Sequence, residues 1–226
     1  MTRPAPLPPL ATIYLTVTAG LTAVFLRAPT LRDGILVEDG PLETATAIVF
    51  LVAALVAIRL LGRPDTRRGE AWIVVGFGAL AFLDEISFGA RILGYRSPEI
   101  DGITVDSLHD VFDLAERFAE RLGVGRTGLA AAALLVLAAT TAWVWRSGRA
   151  PSIARWLRRH PAVAWCTAAV ALLLAAVALD LVGTNEFMRL GEELLELAAA
   201  TITVRAALSL GTAAPARAEE PVEVAV

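Results

Sequence analysis

The stretch Ala71–Gly94, AWIVVGFGALAFLDEISFGARILG, decides the fold. Apolar or small residues fill it as far as Leu83, and Asp84, Glu85 and Arg91 follow in the same run. The apolar part is too short to cross a bilayer, because about 20 helical residues are needed for roughly 30 Å of hydrocarbon. The spacing therefore predicts a helix that runs on through Asp84 and Glu85 towards Ile92, with the carboxylates about two thirds of the way across. Asp84 and Arg91 share a face of that helix, about two turns apart. Ionisable groups at such depth are costly and face a protein interior or a wet cavity, so a polar site is expected here.

The rest of the chain has the same character. Of 226 residues, 56% are hydrophobic and only 19% charged, with a mean hydropathy of +0.63. That is the profile of a polytopic membrane protein. All 20 basic residues are arginine. The lack of lysine excludes a retinal or pyridoxal phosphate (PLP) Schiff base and any lysine nucleophile, and it fits a GC-rich bacterial genome. A net charge of -3 gives no basis for binding nucleic acid. Cys166, the single cysteine, lies in an apolar run and reads as a small buried hydrophobe.

Before the opening stretch, residues 1–9 read as a proline-rich disordered tail, Leu10–Leu26 as a retained first span and Arg27–Gly40 as a polar loop. Pro41 suits the first position of a second helix, with Gly40 as its N-cap and Glu43 in its first turn, and the apolar run continues to Leu61. Arg63, Arg67 and Arg68 mark a short basic turn.

After the opening stretch, Tyr95–Asp106 reads as a polar loop. Ser107 and Asp110 make a capping-box start to an amphipathic helix over 107–122, too polar to span and expected to lie along the membrane surface. His109 and Asp113 are spaced for a shared metal ion, against the commoner meaning of a solvated face. Gly128–Trp145 and Ala162–Val182 are further spans, separated by the basic segment Arg146–Pro161. Gly183 and Thr184 are expected to end one helix and cap the next, Asn185–Leu210, which holds Glu192, Glu193 and Glu196. Residues 211–226 read as a disordered tail.

The expected architecture is all-α: a polytopic membrane helix bundle over 10–210, with about six transmembrane helices and one amphipathic interfacial helix. The arginine-rich loops after the second and fourth spans fall on one side, which the positive-inside rule makes cytoplasmic together with both termini. That places the chain in a bacterial inner membrane, with the lipid bilayer as its first partner. Glu38, Asp39, Glu43, Asp84, Glu85, Asp180, Glu192, Glu193, Glu196 and His109 then all fall on or in the outer half. Carboxylates crowded at low dielectric must take up protons or be neutralised by arginine or a bound cation. Capping of helix N-termini explains Glu43 and the loop acids. It explains Asp84 and Glu85 less well, because they come late in their helix, where the dipole disfavours them. The residues together read as an outer-leaflet site. Glu85, Arg91 and His109 are its candidate catalytic residues, and Glu43, Asp84, Glu85, His109, Glu193 and Glu196 its candidate ligands for a divalent metal ion.

These residues also carry a resemblance. DEISFGARILG resembles the EEISWGQRI-type motif of a family of uncharacterised bacterial multi-pass membrane proteins, which carry an EDG-x-x-E segment before the second span and a histidine in an NLHN-like stretch. The counterparts here are Glu38, Asp39, Gly40 and Glu43, and SLHD with His109. The resemblance covers about Glu38 to Glu196 and implies a multi-pass membrane protein, with no activity attached. The chain departs from the pattern at Asp84, Phe88, Ala90 and Asp110, where the family has glutamate, tryptophan, glutamine and asparagine. The missing glutamine amide tells against any activity that needs it.

Three functions compete. A membrane-embedded hydrolase or related enzyme acting on a lipid-like substrate would use carboxylates and one histidine to hold a metal ion that activates water. The chain has no HExxH for such a site, no ExxH pair for a di-iron centre, and in His160 only a cytoplasmic-side histidine that cannot pair for haem ligation. A cation or proton transporter would use intramembrane acids and a balancing arginine, yet the inner half holds few polar residues apart from Arg205 and no inverted repeat stands out. A non-enzymatic accessory or scaffold subunit would pack its alanine-rich fourth, fifth and sixth spans against other membrane subunits.

Overall fold

A computed structural model describes residues 10–37, 40–182 and 185–212. Glu38, Asp39, the expected junction at Gly183 and Thr184, residues 1–9 and residues 213–226 of the expected C-terminal tail lie outside the described residues. So do the side chains of Arg91, His109 and Asp113, which are placed by their backbone alone. The helices are α1 (Leu10–Arg27), α2 (Arg32–Ile35), α3 (Pro41–Leu61), α4 (Arg68–Glu85), α5 (Ala90–Leu93), α6 (Leu108–Arg121), α7 (Arg126–Arg146), α8 (Ala150–Arg159), α9 (Pro161–Val182) and α10 (Glu186–Ser209). One short antiparallel hairpin, β1 (Glu99–Ile100) with β2 (Ile103–Thr104), interrupts an otherwise all-α chain among the described residues.

α10 is central, packed along α9 on one side and α3 on the other, and α3 packs along α4. α4 and α9 close the ring more sparingly. Small residues make these contacts possible: Ala54 and Ala57 of α3, Ala71 of α4, Ala169 of α9, and Ala199 and Ala206 of α10 are all buried. Close backbone approach of this kind is how helices associate where lipid removes the hydrophobic drive between them. At Gly78 of α4 a Cβ would stand 3.0 Å from the carbonyl oxygen of Phe50 and 3.3 Å from Ala54, so the α3–α4 crossing depends on that glycine.

Among the described residues, α3 and the Pro161–Asp180 part of α9 are long and apolar enough to cross a membrane. Of the other expected spans, α1, α4 and α10 do not qualify among the described residues. α4 carries Arg68, Glu70, Asp84 and Glu85, α10 carries Glu192, Glu193, Glu196 and Arg205, and the apolar part of α1, Thr12–Arg27, is shorter. α1 is held at its ends. The Tyr14 hydroxyl donates to the Leu194 carbonyl of α10 at 2.9 Å, and Phe25 is fully buried with Leu36 and Leu190. Arg32 lies over the Phe25 ring at 4.8 Å and pairs with Glu186 at 3.3 Å. α7 packs chiefly on α6 and leaves Leu135, Val136 and Trp145 exposed.

Three elements differ from the expectation. The helix of the opening stretch does not continue to Ile92. α4 stops at Glu85, and Ser87, Phe88 and Gly89 follow with φ of 53°, 48° and 95°. Positive φ at three successive residues breaks the helical ladder, and the chain resumes only as the single turn α5. Asp84 and Glu85 are thus the last residues of α4, not two thirds of the way along a longer helix, and Arg91 shares no helix face with Asp84. Secondly, Tyr95–Asp106 contains β1 and β2, joined by Asp101 and Gly102 at φ of 60° and 77°, the positive pair a tight hairpin turn requires. Thirdly, Arg146–Pro161 is not simply a basic connection, since it folds into α8. The remaining boundaries follow the caps: Gly40 extended before Pro41 of α3, and the Ser107–Asp110 capping box of α6.

Candidate functional site

Three elements bring six acids to one place. Glu43 comes from the first turn of α3, Asp84 and Glu85 from the last turn of α4, and Glu192, Glu193 and Glu196 from one side of α10, where spacings of three and four share a face. All six line one cavity of about 530 Å³. Ser87 and the start of α6, through Asp106, Ser107 and Asp110, complete its polar lining. The rest of the wall is apolar. Phe50 and Phe77, which meet edge to face at 6.1 Å, form its floor, and Leu80 of α4 and Val170, Leu173 and Leu174 of α9 form its side. Leu80 and Leu174 are 59% and 58% exposed. The apolar wall therefore reaches the outside of the bundle between α4 and α9, the most sparingly packed of the neighbouring pairs in the ring.

The polar end is electrostatically one-sided. Glu85 faces Glu193, Glu43 and Asp84. Glu196 is buried and faces Glu85, Glu193, Glu192 and Glu43. Among the described residues no arginine lines the cavity. Among the described residues Arg189, one turn before Glu192 in α10, acts on Glu192 and also donates to the Leu36 carbonyl at 3.3 Å. Like charges at such separations repel strongly away from bulk water and require compensating positive charge.

Asp110 behaves differently. Its Oδ2 accepts from the backbone N–H of Asp106 at 2.8 Å, the N–H of Ser107 at 2.6 Å and the Ser107 hydroxyl at 2.9 Å. Burial alone would push this carboxyl up, but the donors outweigh it and hold Asp110 below its ordinary value of 3.8. It is a helix cap that happens to border the cavity.

Of the candidate metal ligands, Glu43, Asp84, Glu85, Glu193 and Glu196 share the cavity. Among the described residues no three Asp, Glu, His or Cys groups converge closely enough to hold a metal ion as placed. His109 sits beside Asp110 in the first turn of α6, at the rim, and Arg91 sits in α5 beyond the turn that follows Glu85. Arg189 was not singled out from the sequence, although its position three residues before Glu192 is a readable pairing. Phe50 and Phe77 gave no signal, because phenylalanine in an apolar helix is ordinary. No protein-family model, curated protein or solved structure matches the chain. The resemblance to the multi-pass family accordingly stays at the level of short motifs.

Proposed function

We propose that the chain is a multi-span protein of a bacterial inner membrane that admits a lipid-like amphiphile from the outer leaflet into the acidic cavity and hydrolyses or otherwise modifies it. The two-part lining supports this reading: an apolar wall that reaches the outside of the bundle between α4 and α9 adjoins a cluster of carboxylates. An acyl chain suits the wall formed by Leu80, Val170 and Leu174, and a polar head suits the acids.

α3 and α9 cross by their own composition, and α4 and α10 cross with their acids turned into the cavity instead of towards lipid, which is how intramembrane acids are tolerated. α1 and α7 complete six spans. The arginines between α3 and α4 and around α8 support the reading that this end faces the cytoplasm, by the positive-inside rule. Glu85 is the leading candidate for proton transfer. His109 and Arg91 border the same region by backbone position and would orient or neutralise the head. A divalent metal ion would be held by hard carboxylate oxygens from at least two helices, drawn together on binding, and would supply an activated water.

Transport finds less support. Below Phe50 and Phe77 the core runs through Ala57, Val74, Ala162 and Cys166, and the buried hydroxyls of Thr203 and Ser209 in α10 donate to carbonyls of their own helix, Ala199 and Ala206. An accessory-subunit role has one observation in its favour, the exposed α7, which offers Leu135 and Val136 to lipid or to another subunit.

The test uses protein purified in mild detergent, extracted for lipid and analysed for metals. A discrete lipid class and a stoichiometric divalent metal are expected in the native chain, both reduced in a folded Glu85→Gln, Glu196→Gln variant. Identical lipid and metal content in native and variant protein would overturn the proposal.

A further inference from the structure

We infer that α8 lies in the plane of the membrane and binds anionic phospholipid headgroups at the arginine-rich end of the bundle. Its residues sort by face. At about 100° per residue Ile153, Trp156 and Leu157 fall together, and Arg155, Arg158 and Arg159 fall opposite. None of its residues is buried, Leu157 is half-buried and Ile153 and Trp156 are 41% and 49% exposed, so the protein itself covers the apolar face only in part.

What covers that face follows from where α8 is held. Only His160 separates it from α9, a helix long and apolar enough to cross a membrane. The His160 ring packs on Trp156 with centroids 4.7 Å apart, and its Nδ1 lies 2.9 Å from Oε1 of the buried Glu70. Arg67 donates to the same Glu70 oxygen at 3.0 Å and also to the Arg159 carbonyl. This node pins the end of α8 to the first turn of α4. On the other side, α7 ends in the exposed Trp143 and Trp145, with Arg149 over the Trp143 ring at 4.4 Å, the composition of an interfacial belt. A helix held at that level lies with its apolar face in the acyl boundary and its guanidinium groups among the headgroups.

Charge selects the headgroup. Arg63, Arg68 and Arg149 stand with the three arginines of α8, whereas the acids in the α3–α4 connection and first turn of α4 are Asp65 and Glu70, the latter already engaged by Arg67 and His160. A surplus of arginine at a membrane surface favours anionic over zwitterionic lipid, by roughly fivefold in affinity per residue.

The inference rests on the reading that α9 crosses a membrane, and it is independent of what the acidic cavity binds. In native mass spectrometry of the full chain titrated with phosphatidylglycerol or phosphatidylcholine, the former is expected to be retained preferentially. An Arg155→Gln, Arg158→Gln, Arg159→Gln variant is expected to lose about a hundredfold in that preference. Equal retention of both lipids by the native chain, or an undiminished preference in the variant, would overturn the proposal. A nitroxide at Ile153→Cys in a Cys166→Ala background, in vesicles containing phosphatidylglycerol, gives a second readout that does not depend on the arginine variant. Relaxation by oxygen with shielding from an aqueous nickel reagent is expected, and the reverse pattern, which would place α8 in water, would overturn it. A chain that stays out of the detergent phase altogether contradicts the membrane reading itself. A chain that reconstitutes but shows no lipid preference contradicts only the role of α8.

Discussion

Asp110 and Glu196 border the same cavity yet meet opposite surroundings. Asp110 gathers three donors, while Glu196 is buried among other carboxylates. Because the folded state holds Asp110 below 3.8, its charge supports α6 fully at pH values above that figure. The support is lost as pH falls through the lowered folded value. The backbone amides of Asp106 and Ser107 are therefore expected to lose exchange protection in acid only below about pH 4, which an amide-exchange series against pH measures. Ser107→Ala removes the reciprocal half of the box and is expected to fray the start of α6, at a cost of about 1 kcal/mol. Circular dichroism and amide exchange read this, and unchanged protection at Asp110 would contradict it. At this scale the sequence was informative where chemistry is local. Ser107 and Asp110 announce a cap three residues apart, and Glu43 announces a first turn. The i, i+3 spacing of Arg189 and Glu192 is equally local, but that Glu192 lines a cavity depends on which face of α10 turns inward.

α4 ends where the acids are, and its end is made by backbone geometry. Ser87 and Phe88 adopt positive φ despite their Cβ atoms, and Gly89 continues the reversal at φ 95° while buried. Gly89→Ala is expected to destabilise the chain by about 1–2 kcal/mol, the cost of a Cβ in the left-handed region, and so to lower the thermal midpoint in detergent. Gly20→Ala is the control: Gly20 lies within α1, with nothing within 4 Å of the point where a Cβ would stand, and there alanine is expected to be neutral or to stabilise by up to about 1 kcal/mol. Equal effects of the two substitutions would contradict the assigned turn.

This break was not legible in ISFGAR, which has one glycine and no proline, so nothing in its residue pattern marks three successive left-handed residues. The hairpin was legible in principle from Asp101 and Gly102, the strongest short turn signal, but strands of two residues leave no alternating pattern around it. α3, α6, α9 and α10 were recovered to within a residue or so, since proline, the capping box and long apolar runs mark their ends.

Over the whole molecule, four helices form a ring with one loose seam. α10 sits tightly between α3 and α9, α3 crosses α4 closely at Gly78, and the α4–α9 side is left open above Phe50 and Phe77. Charge is sorted along the bundle, with carboxylates around the cavity and arginines around α8 at the far end. Composition revealed the helical class and this polarity. It did not reveal the seam, which depends on how α4 and α9 pair in space. A photo-crosslinking residue at Leu174, on the seam, compared with one at Val136 on the exposed face of α7, tests whether a bilayer ligand enters there. Labelling in native membranes followed by mass spectrometry is expected to give a discrete lipid-sized adduct from position 174 that is lost in Glu85→Gln, Glu196→Gln, and only heterogeneous bulk-lipid adducts from position 136. The same heterogeneous adducts at both positions, unaffected by the two glutamines, would contradict a ligand site between α4 and α9.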